Sequence, residues 1–333
     1  MAQDKKATTP TAGYVYTLSA GVSFGSTAIL TSLLRNMGIP SIEQGFFRML
    51  LTTIFFGSVL LLKPQIRNIN RGDTKFFAFN GLFGVSLSIV AYLSSIALGT
   101  PVAVAVTLSY LQPMFSVILA RLVLSEAVTP TKVAAVAVSI LGASIVSGIW
   151  QVFGSEAPIN PVGVVLASLN GFFYATYITS GRLSGSIKNY HFATTMFYSF
   201  FFALLWVFPL WLIVGSLVGQ QIVSGLVLDI PLVAWVLLLM IGVIGTIVPY
   251  GLLSLGLQHI AASRAGIILL VEPISVMIMG AIILGEPVTP WGVLGAALIL
   301  SATVLISLEA KINRPKPKGK TERRVFEERK VGI

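Results

Sequence analysis

Two stretches of this chain carry one pattern twice, 160 residues apart. Residues 112–130 read QPMFSVILARLVLSEAVTP, and residues 272–290 read EPISVMIMGAIILGEPVTP. In each stretch a proline follows a polar residue, and a glutamate thirteen residues after that proline opens a turn that ends in Val-Thr-Pro. A pattern that returns at a fixed spacing indicates a duplicated structural unit. The chain is therefore predicted to contain two related halves.

Glycines upstream of these stretches extend the repeat. They fall at corresponding places in the apolar segments before each motif, at spacings of 161 and 150 residues. The matching pairs are Gly81 with Gly242, Gly84 with Gly245, Gly13 with Gly163 and Gly21 with Gly171. Because the matches keep one order along the chain, they indicate that the duplication covers each half as a whole.

The composition places both halves in a membrane. Of the 333 residues, 55% are hydrophobic and only 10% are charged, whereas soluble domains carry about 25% charged residues. The apolar residues form stretches of about 20, the length that a helix needs to cross a bilayer. The sequence therefore predicts an all-α integral membrane protein with ten transmembrane helices, five in each half. The predicted spans are residues 14–34, 42–62, 76–97, 101–123, 131–149, 160–180, 192–215, 231–257, 263–284 and 289–308.

The placement of lysine and arginine predicts the orientation of these spans. If both termini and the even-numbered connections lie on one side, that side holds 20 of the 22 basic residues. Arg35 then lies on the other side, and Arg48 lies within the second span. Cytoplasmic segments are rich in Lys and Arg, so both termini are predicted to be cytoplasmic. Since five spans per half is an odd number, the second half enters from the opposite side and the two halves form an inverted repeat.

The predicted organisation has four parts. A cytoplasmic N-terminal segment, residues 1–13, precedes a first five-helix repeat at residues 14–149, and a second repeat occupies residues 160–308. A basic cytoplasmic tail, residues 309–333, ends the chain. Nine of the 22 basic residues lie after residue 310, which is typical of a tail that faces an anionic membrane surface. We therefore expect membrane lipids, and no nucleic acid, among the partners.

The doubled motif resembles a known family. Proline, twelve residues and Glu-x-Val-Thr-Pro, once in each half of a ten-span protein, is similar to the EamA-type branch of the drug/metabolite transporter superfamily. The chain departs from the family at one place, where a common glycine nine residues after the glutamate is Gly295 in the second half but Ala135 in the first. Within that branch it is most similar to bacterial exporters of aromatic and other neutral amino acids. The resemblance implies a secondary transporter of the bacterial inner membrane that exports such metabolites by alternating access.

Two polar residues beside prolines are the leading site candidates. Glu272 lies about 14 Å into the ninth span at 1.5 Å per residue, a depth at which a charged side chain is a functional candidate by default. Pro273 leaves a helix carbonyl unpaired, and Gln112 with Pro113 makes the matching break in the fourth span. Broken helices at membrane depth are tolerated where they line a cavity. We therefore predict that Gln112 and Glu272 line a substrate cavity; a packing kink with an internally bonded Glu272 is the alternative.

A second set of candidates consists of polar and aromatic residues in the glycine-flanked helices. Aromatic rings stack on apolar solutes, and tyrosine hydroxyls bind polar groups. The predicted substrate-binding residues of this set are Ser23, Phe24, Tyr92, Tyr110, Asn170, Tyr174 and Tyr250, and the predicted helix-break or gating residues are Gly21, Gly171, Pro113 and Pro273. Helix packing is the alternative role for the glycines.

Arg48 is the other charged residue at membrane depth. We expect its side chain to pair with Glu43 or to reach outward to the lipid headgroups. Its counterpart at the 150-residue shift is Tyr198, so the repeat predicts no symmetric ion pair. Because the fourth and ninth spans hold no Lys or Arg at mid-depth, a neutral or zwitterionic solute is favoured over a strongly anionic one.

Other functional classes find less support. The chain has no cysteine and two histidines, which excludes a thiolate metal site and disfavours a zinc site. A membrane enzyme needs a clustered acid–base or metal constellation, and none is evident. A channel or a structural membrane subunit is the remaining alternative to a transporter. We expect no catalytic residue, no metal and no cofactor, and a monomer that handles a small-molecule substrate.

Overall fold

The computed structural model of the chain describes residues 10–149, 160–218 and 229–312. These residues form helices joined by short connections, without a β-strand. Within these ranges, nine helices are long and apolar enough to cross a membrane. The helices found at the ten predicted spans are α1 Pro10–Asn36, α2 Ser41–Leu62, α3 Arg71–Ala97, α4 Val102–Leu124, α5 Pro130–Val146, α6 Pro161–Ile187, α7 Phe192–Val218, α8 Leu232–Leu257, α9 Ala262–Leu284 and α10 Pro290–Ile312.

The predicted fifth span differs from the others in length. Helix α5 has 17 residues, or about 26 Å at 1.5 Å per residue, which is slightly less than the ~30 Å hydrocarbon core of a bilayer. The other predicted spans overlap their helices along most of their length. The predicted N-terminal segment and the predicted basic tail fall largely on residues 1–9 and 313–333, which lie outside the described ranges.

The two copies of the repeated motif adopt the same turn. Ser125 and Gly285 end α4 and α9 with positive φ angles of 54° and 71°, the conformation that commonly closes a helix. The residues that follow, Glu126 and Glu286, each donate a backbone N–H to the carbonyl oxygen six residues earlier, at 3.1 and 3.2 Å. The duplicated sequence therefore builds one helix end twice.

The next helix also starts in the same way in both copies. The hydroxyl oxygen of Thr129 accepts the N–H of Lys132 at 3.2 Å, and that of Thr289 accepts the N–H of Gly292 at 3.0 Å. A proline follows each threonine as the first residue of α5 or α10, where its missing N–H has no helical partner to lose. Threonine and proline thus set the start of both helices.

Helices α4 and α9 are interrupted beside their prolines. In α4 the residues Tyr110 and Leu111 form a turn between Val102–Ser109 and the segment that begins at Gln112. In α9 the 3₁₀ turn Leu269–Val271 precedes a segment that begins with glutamate and proline. Proline explains both interruptions, since it has no N–H and its ring clashes with the preceding turn. The two breaks lie at the same place in the two motifs.

Glycines of α1 and α6 lie against these two breaks. A Cβ on Gly21 would lie 2.5 Å from Val271 Cγ1 and 3.3 Å from a carbonyl oxygen of the α9 turn. A Cβ on Gly171 would lie 2.9 Å from the Ser109 carbonyl oxygen and 3.2 Å from the Gln112 nitrogen. Only glycine allows the backbones to approach this closely. Each broken helix is therefore covered by a helix of the other half of the chain.

The two halves of the chain are interleaved throughout. Helix α1 contacts α8 and α9, α6 contacts α3 and α4, and α2 contacts α7. Helices α5 and α10 pack together at Gly142 and Gly295, where an added Cβ would lie 2.7 and 2.6 Å from the partner's carbonyl oxygen. The outward sides of these two helices expose apolar residues such as Leu141 and Leu300, as a lipid-facing surface requires.

Polar contacts join the start of α3 to the connection between α6 and α7 on one face of the bundle, which we call the Lys188 face. Asp73 accepts hydrogen bonds from Lys188 at 2.5 Å and from Tyr190 at 2.6 Å. The N–H of Asn70 donates to the Tyr190 hydroxyl at 3.0 Å. Burial and the hydrogen bond to Asp73 raise the pKa of Tyr190, so its phenol keeps the proton it donates. The opposite end of the bundle holds Arg35 and is called the Arg35 face.

Gly171→Ala is expected to destabilise the protein, because the added methyl group would meet backbone atoms at the α4 break that cannot move aside. Overpacking of this kind costs about 1–3 kcal/mol, which should appear as a lower melting temperature in detergent. Gly251→Ala is the matched control, since a Cβ there meets Phe56 only at 3.8 Å. Equal melting temperatures for the two variants would contradict the close approach of α6 to α4.

Candidate functional site

A cavity of about 470 Å³ lies between helices of both halves. Its walls come from α1, α2, α3 and α4 in the first half and from α6, α8 and α9 in the second. Arg35, Ser41 and Val102 belong to its lining and lie at helix ends on the Arg35 face, so the cavity extends to that face. None of its lining residues belongs to a connection on the Lys188 face.

Most of the predicted binding residues meet in this cavity. Those in its lining are Phe24, Tyr92, Tyr110, Gln112, Asn170, Tyr174, Tyr250 and Glu272. Ser23 is not part of the lining, to which α1 contributes residues between Phe24 and Arg35. Ser23 lies one helical turn before Thr27, at the edge of the lining face of α1. The predicted helix-break residues Gly21, Gly171, Pro113 and Pro273 are also absent from the lining and lie at the helix breaks behind it.

Aromatic rings form one wall of the cavity. The ring of Tyr250 lies edge-on to Phe24 at 4.9 Å, and edge-on to Tyr177 and Phe200 at 5.2 Å each, measured between ring centroids. Phe24 and Tyr174 form a further edge-on pair at 6.3 Å. Each such pair contributes about 0.5–1.5 kcal/mol beyond simple burial. The wall is therefore a fixed apolar surface that carries tyrosine hydroxyls as polar points.

Two side-chain amides of the site are oriented by the protein. Asn170 Nδ2 donates to the carbonyl oxygen and to the hydroxyl of Ser88, both at 2.8 Å, and so links α6 to α3. Gln112 Nε2 donates to Ser116 Oγ at 2.7 Å within α4. Gln112 is 3% exposed, so its contact with a solute would be narrow. These bonds hold both amides in place before any solute enters.

Arg48 belongs to the site, although the sequence led us to expect it elsewhere. Its Nε donates to Thr246 Oγ1 at 2.8 Å, and its Nη2 donates to the Gly245 carbonyl oxygen at 3.3 Å. Both acceptors lie in a π-helical turn of α8, Val243–Ile247, and such turns leave carbonyl oxygens outside the regular helical ladder. The guanidinium therefore crosses to α8 and lines the cavity instead of extending to the lipid headgroups.

A pattern in α2 contains the signal that locates Arg48. Ser41, Gln44, Gly45 and Arg48 follow one another at helical spacing, and all four line the cavity. The rest of this helix is mostly apolar. A polar stripe along one side of a membrane helix indicates a face turned toward protein or water and away from lipid.

The charged residues of the lining have opposite signs. In the part of the chain that the structure describes, they are Glu272, Arg48 and, at the open end, Arg35. Arg48 and Glu272 carry opposite charges in one cavity. Charges fixed in a cavity with little water bind a solute group of opposite charge more strongly than the same groups would in bulk water. The described residues include no group of three or more His, Cys, Asp or Glu side chains that could hold a metal ion.

A helical membrane bundle with a cavity between its spans, lined by aromatic, polar and charged side chains, has the architecture of a multi-pass membrane transporter. Comparison with known proteins gives the same class, because residues 11–148 and residues 161–308 each match the EamA-like transporter family. The two matches together cover most of the chain. The protein belongs to the EamA-like transporter family, within the drug/metabolite transporter superfamily, which is a family of transporters and not a class of enzymes.

Individual relatives agree with this class. The chain is 25% identical over 272 residues to an uncharacterized transporter of Archaeoglobus fulgidus, which covers 81% of this chain and 88% of the relative. It is also 25% identical over 294 residues to the threonine/homoserine exporter RhtA of Escherichia coli K12. That alignment covers 86% of this chain and 90% of the relative. A solved crystal structure overlays with a TM-score of 0.73, covers 90% of this chain and 98% of its own, and is 14% identical, so it shows a shared fold alone.

Proposed function

We propose that this protein is a secondary transporter that exports small zwitterionic metabolites, in particular aromatic and other apolar amino acids, across the bacterial inner membrane. The observation that carries the proposal is the presence of Arg48 and Glu272 in one cavity with an aromatic wall. A free amino acid carries a carboxylate, an ammonium group and a side chain. The cavity offers a guanidinium, a carboxylate and an apolar surface, one for each.

Each charged group of the cavity suits one end of an amino acid. Arg48 uses two of its N–H groups on α8, which leaves three of the five donors of a guanidinium for a solute. A guanidinium binds carboxylates well because its donors are planar and always charged. Glu272 would accept hydrogen bonds from the ammonium group, and Phe24, Tyr174 and Tyr250 would surround the side chain. The cavity volume of about 470 Å³ is within the usual range for small-molecule sites.

Alternating access between two inverted five-helix halves, with both termini cytoplasmic, is the proposed mechanism. The repeated helix breaks and caps, 160 residues apart, support two units of one design. In an inverted repeat, each half can adopt the shape of the other and so move the opening of the cavity to the opposite face. Export as the direction is supported by the relative named as a threonine/homoserine exporter.

A small carboxylate anion is a second candidate substrate. Arg35 and Arg48 both line the cavity, whereas Glu272 is the one acidic residue among the described lining residues. The lining therefore carries more positive than negative charge. The two candidate substrates differ in their interaction with Glu272. An anion without an ammonium group would form no favourable contact with this carboxylate.

Counterflow in liposomes tests the transport proposal. Liposomes that contain the protein are loaded with unlabelled tyrosine or leucine, and labelled amino acid of the same kind is added outside. Uptake should be faster than into liposomes without internal amino acid, because a carrier with bound solute returns across the membrane faster than an empty one. Protein-free liposomes give the background. Amino-acid transport would be refuted if none of the twenty amino acids showed counterflow. Flux that does not saturate with solute concentration would indicate a channel.

Arg48→Gln and Glu272→Gln are expected to change specificity in opposite directions. Arg48→Gln should raise the KM for tyrosine about tenfold or more, since a hydrogen bond to a charged group contributes about 1.5–3 kcal/mol. It should leave tyramine, which has no carboxylate, little affected. Glu272→Gln should raise the KM for tyrosine by a similar factor. It should leave the KM for 3-(4-hydroxyphenyl)propionate, which has no ammonium group, little changed.

The control for these two variants is Arg121→Gln, which removes an exposed charge of α4 outside the cavity and should leave all three solutes unchanged. Equal losses on every solute in both cavity variants would assign Arg48 and Glu272 to helix packing. A preference for the propionate in the unmodified protein would favour the anion as substrate.

Cysteine labelling tests the proposed orientation, because the chain has no cysteine of its own. Met37→Cys, on the Arg35 face, should react with a membrane-impermeant maleimide in intact cells. Gly72→Cys, at the start of α3 on the Lys188 face, should react only after the cells are opened, and a Cβ there meets no neighbour. The reverse pattern would overturn the assignment of cytoplasmic termini.

A further inference from the structure

The carboxylate of Glu126 holds the start of α9. Its Oε1 accepts the backbone N–H of Ala262 at 2.8 Å, and its Oε2 accepts the N–H of Ser263 at 3.3 Å and the hydroxyl of the same residue at 2.5 Å. Lys132 Nζ lies 3.8 Å from Glu126 Oε2, and the Glu126 side chain is only 14% exposed. The end of α4 is thereby fastened to the start of α9 on the Lys188 face, where the cavity has no lining residue.

Glu286 occupies the corresponding place at the end of α9, on the Arg35 face. The same left-handed turn precedes it, but its side chain is exposed and accepts no hydrogen bond within the described ranges. The residues that match Ala262 and Ser263 at the 160-residue shift are Val102 and Ala103, at the start of α4. Val102 is 46% exposed and lines the cavity. At the face where the cavity opens, the equivalent contact is therefore not made.

From this contrast we infer that the two glutamates are alternating latches. Glu126 fastens the start of α9 in the state that opens the cavity to the Arg35 face. In the opposite state Glu286 accepts the N–H groups of Val102 and Ala103, and Glu126 releases α9. The inference rests on the proposed inverted repeat and adds the contact that closes each face.

The sequence makes the two latches unequal. Ser263 adds a hydroxyl donor to the Glu126 contact, whereas its counterpart Ala103 has none. Lys132, beside Glu126, corresponds to Gly292 beside Glu286. Charge-assisted hydrogen bonds are stronger than neutral ones, so the Ser263 hydroxyl strengthens the Glu126 contact, and Lys132 adds an ion pair at 3.8 Å. The resting protein therefore favours the state that is open to the Arg35 face.

Labelling of the cavity from the Arg35 face tests the latches. Ala28→Cys places a single thiol on an exposed lining residue of α1, and an impermeant maleimide is added to vesicles that present this face, without substrate. In this background Glu126→Ala should slow labelling about tenfold, because it removes charged hydrogen bonds that hold the open state. Glu286→Ala is the matched control and should leave the rate unchanged or raise it, because its latch is undone in this state.

Two smaller changes separate the latch from general damage to the fold. Ser263→Ala removes one hydroxyl bond from the Glu126 latch, and Ala103→Ser adds one to the Glu286 latch. Each should slow labelling by about two- to fivefold, less than the loss of the whole carboxylate, because only one of the donors to that carboxylate is changed. Equal labelling rates for Glu126→Ala and Glu286→Ala in folded protein would overturn the inference. Should Glu126→Ala fail to fold, unchanged rates in both smaller variants would overturn it.

The labelling result does not depend on the identity of the substrate. The reagent reacts with a thiol in the absence of any solute, so a protein that shows no amino-acid counterflow still reports which face its cavity opens to. Failure of the latch inference and failure of the proposed amino-acid export are therefore distinguishable outcomes.

Discussion

A bilayer offers no water to backbone groups, so each interruption of a membrane helix must be covered by protein. Helices α4 and α9 are interrupted in this way, and the covering surface is the backbone of α6 and α1 at Gly171 and Gly21. Since each covering helix belongs to the other half of the chain, neither half could bury its own broken helix alone. The interleaved packing follows from this requirement. The cavity is lined in part by these four helices. Each break therefore packs against a glycine on one side and presents a polar residue, Gln112 or Glu272, to the cavity on the other.

The positions of the helices, the repeated turn and the two breaks could be predicted from the sequence because hydropathy and proline act on the chain locally. The direction of a side chain around its helix is not encoded in that way, and the choice between Ser23 and Phe24 depended on how α1 is rotated toward its neighbours. Arg48 shows a further limit, since its acceptor Thr246 lies 198 positions along the chain. The polar stripe from Ser41 to Arg48 favours an inward-facing side of α2, a signal that the expected pairing with Glu43 or with the headgroups overlooked. The partner across the cavity became visible only in the structure.

The two copies of the repeated glutamate make different polar contacts on the two faces of the bundle. On the Lys188 face, Asp73 joins the start of α3 to the connection between α6 and α7, Glu126 holds α9, and the Thr129 hydroxyl donates to Glu309. Among the described residues of the Arg35 face, where the cavity opens, Glu286 makes no equivalent of the Glu126 contact. A carboxylate at a helix start replaces water as the partner of N–H groups that lack a helical acceptor. In the latch mechanism that we infer, water would satisfy these backbone groups when a face is open and glutamate would satisfy them when it is closed, so that neither state leaves them unpaired.

Residues that set the backbone are kept in both copies of the repeat, whereas residues that face the cavity have diverged. The turn and cap residues are nearly identical, because both halves must build the same helix ends. Glu272 corresponds to Gln112, and Arg48 corresponds to Tyr198, which donates to the Arg67 carbonyl oxygen away from the cavity. Under the proposed inverted symmetry, a cavity with equivalent walls would accept a dipolar solute in two opposite orientations. Glu272 and Arg48, whose counterparts carry no charge, would remove that degeneracy, so that under the proposed mechanism the solute would keep one orientation while the surrounding scaffold exchanges its two shapes.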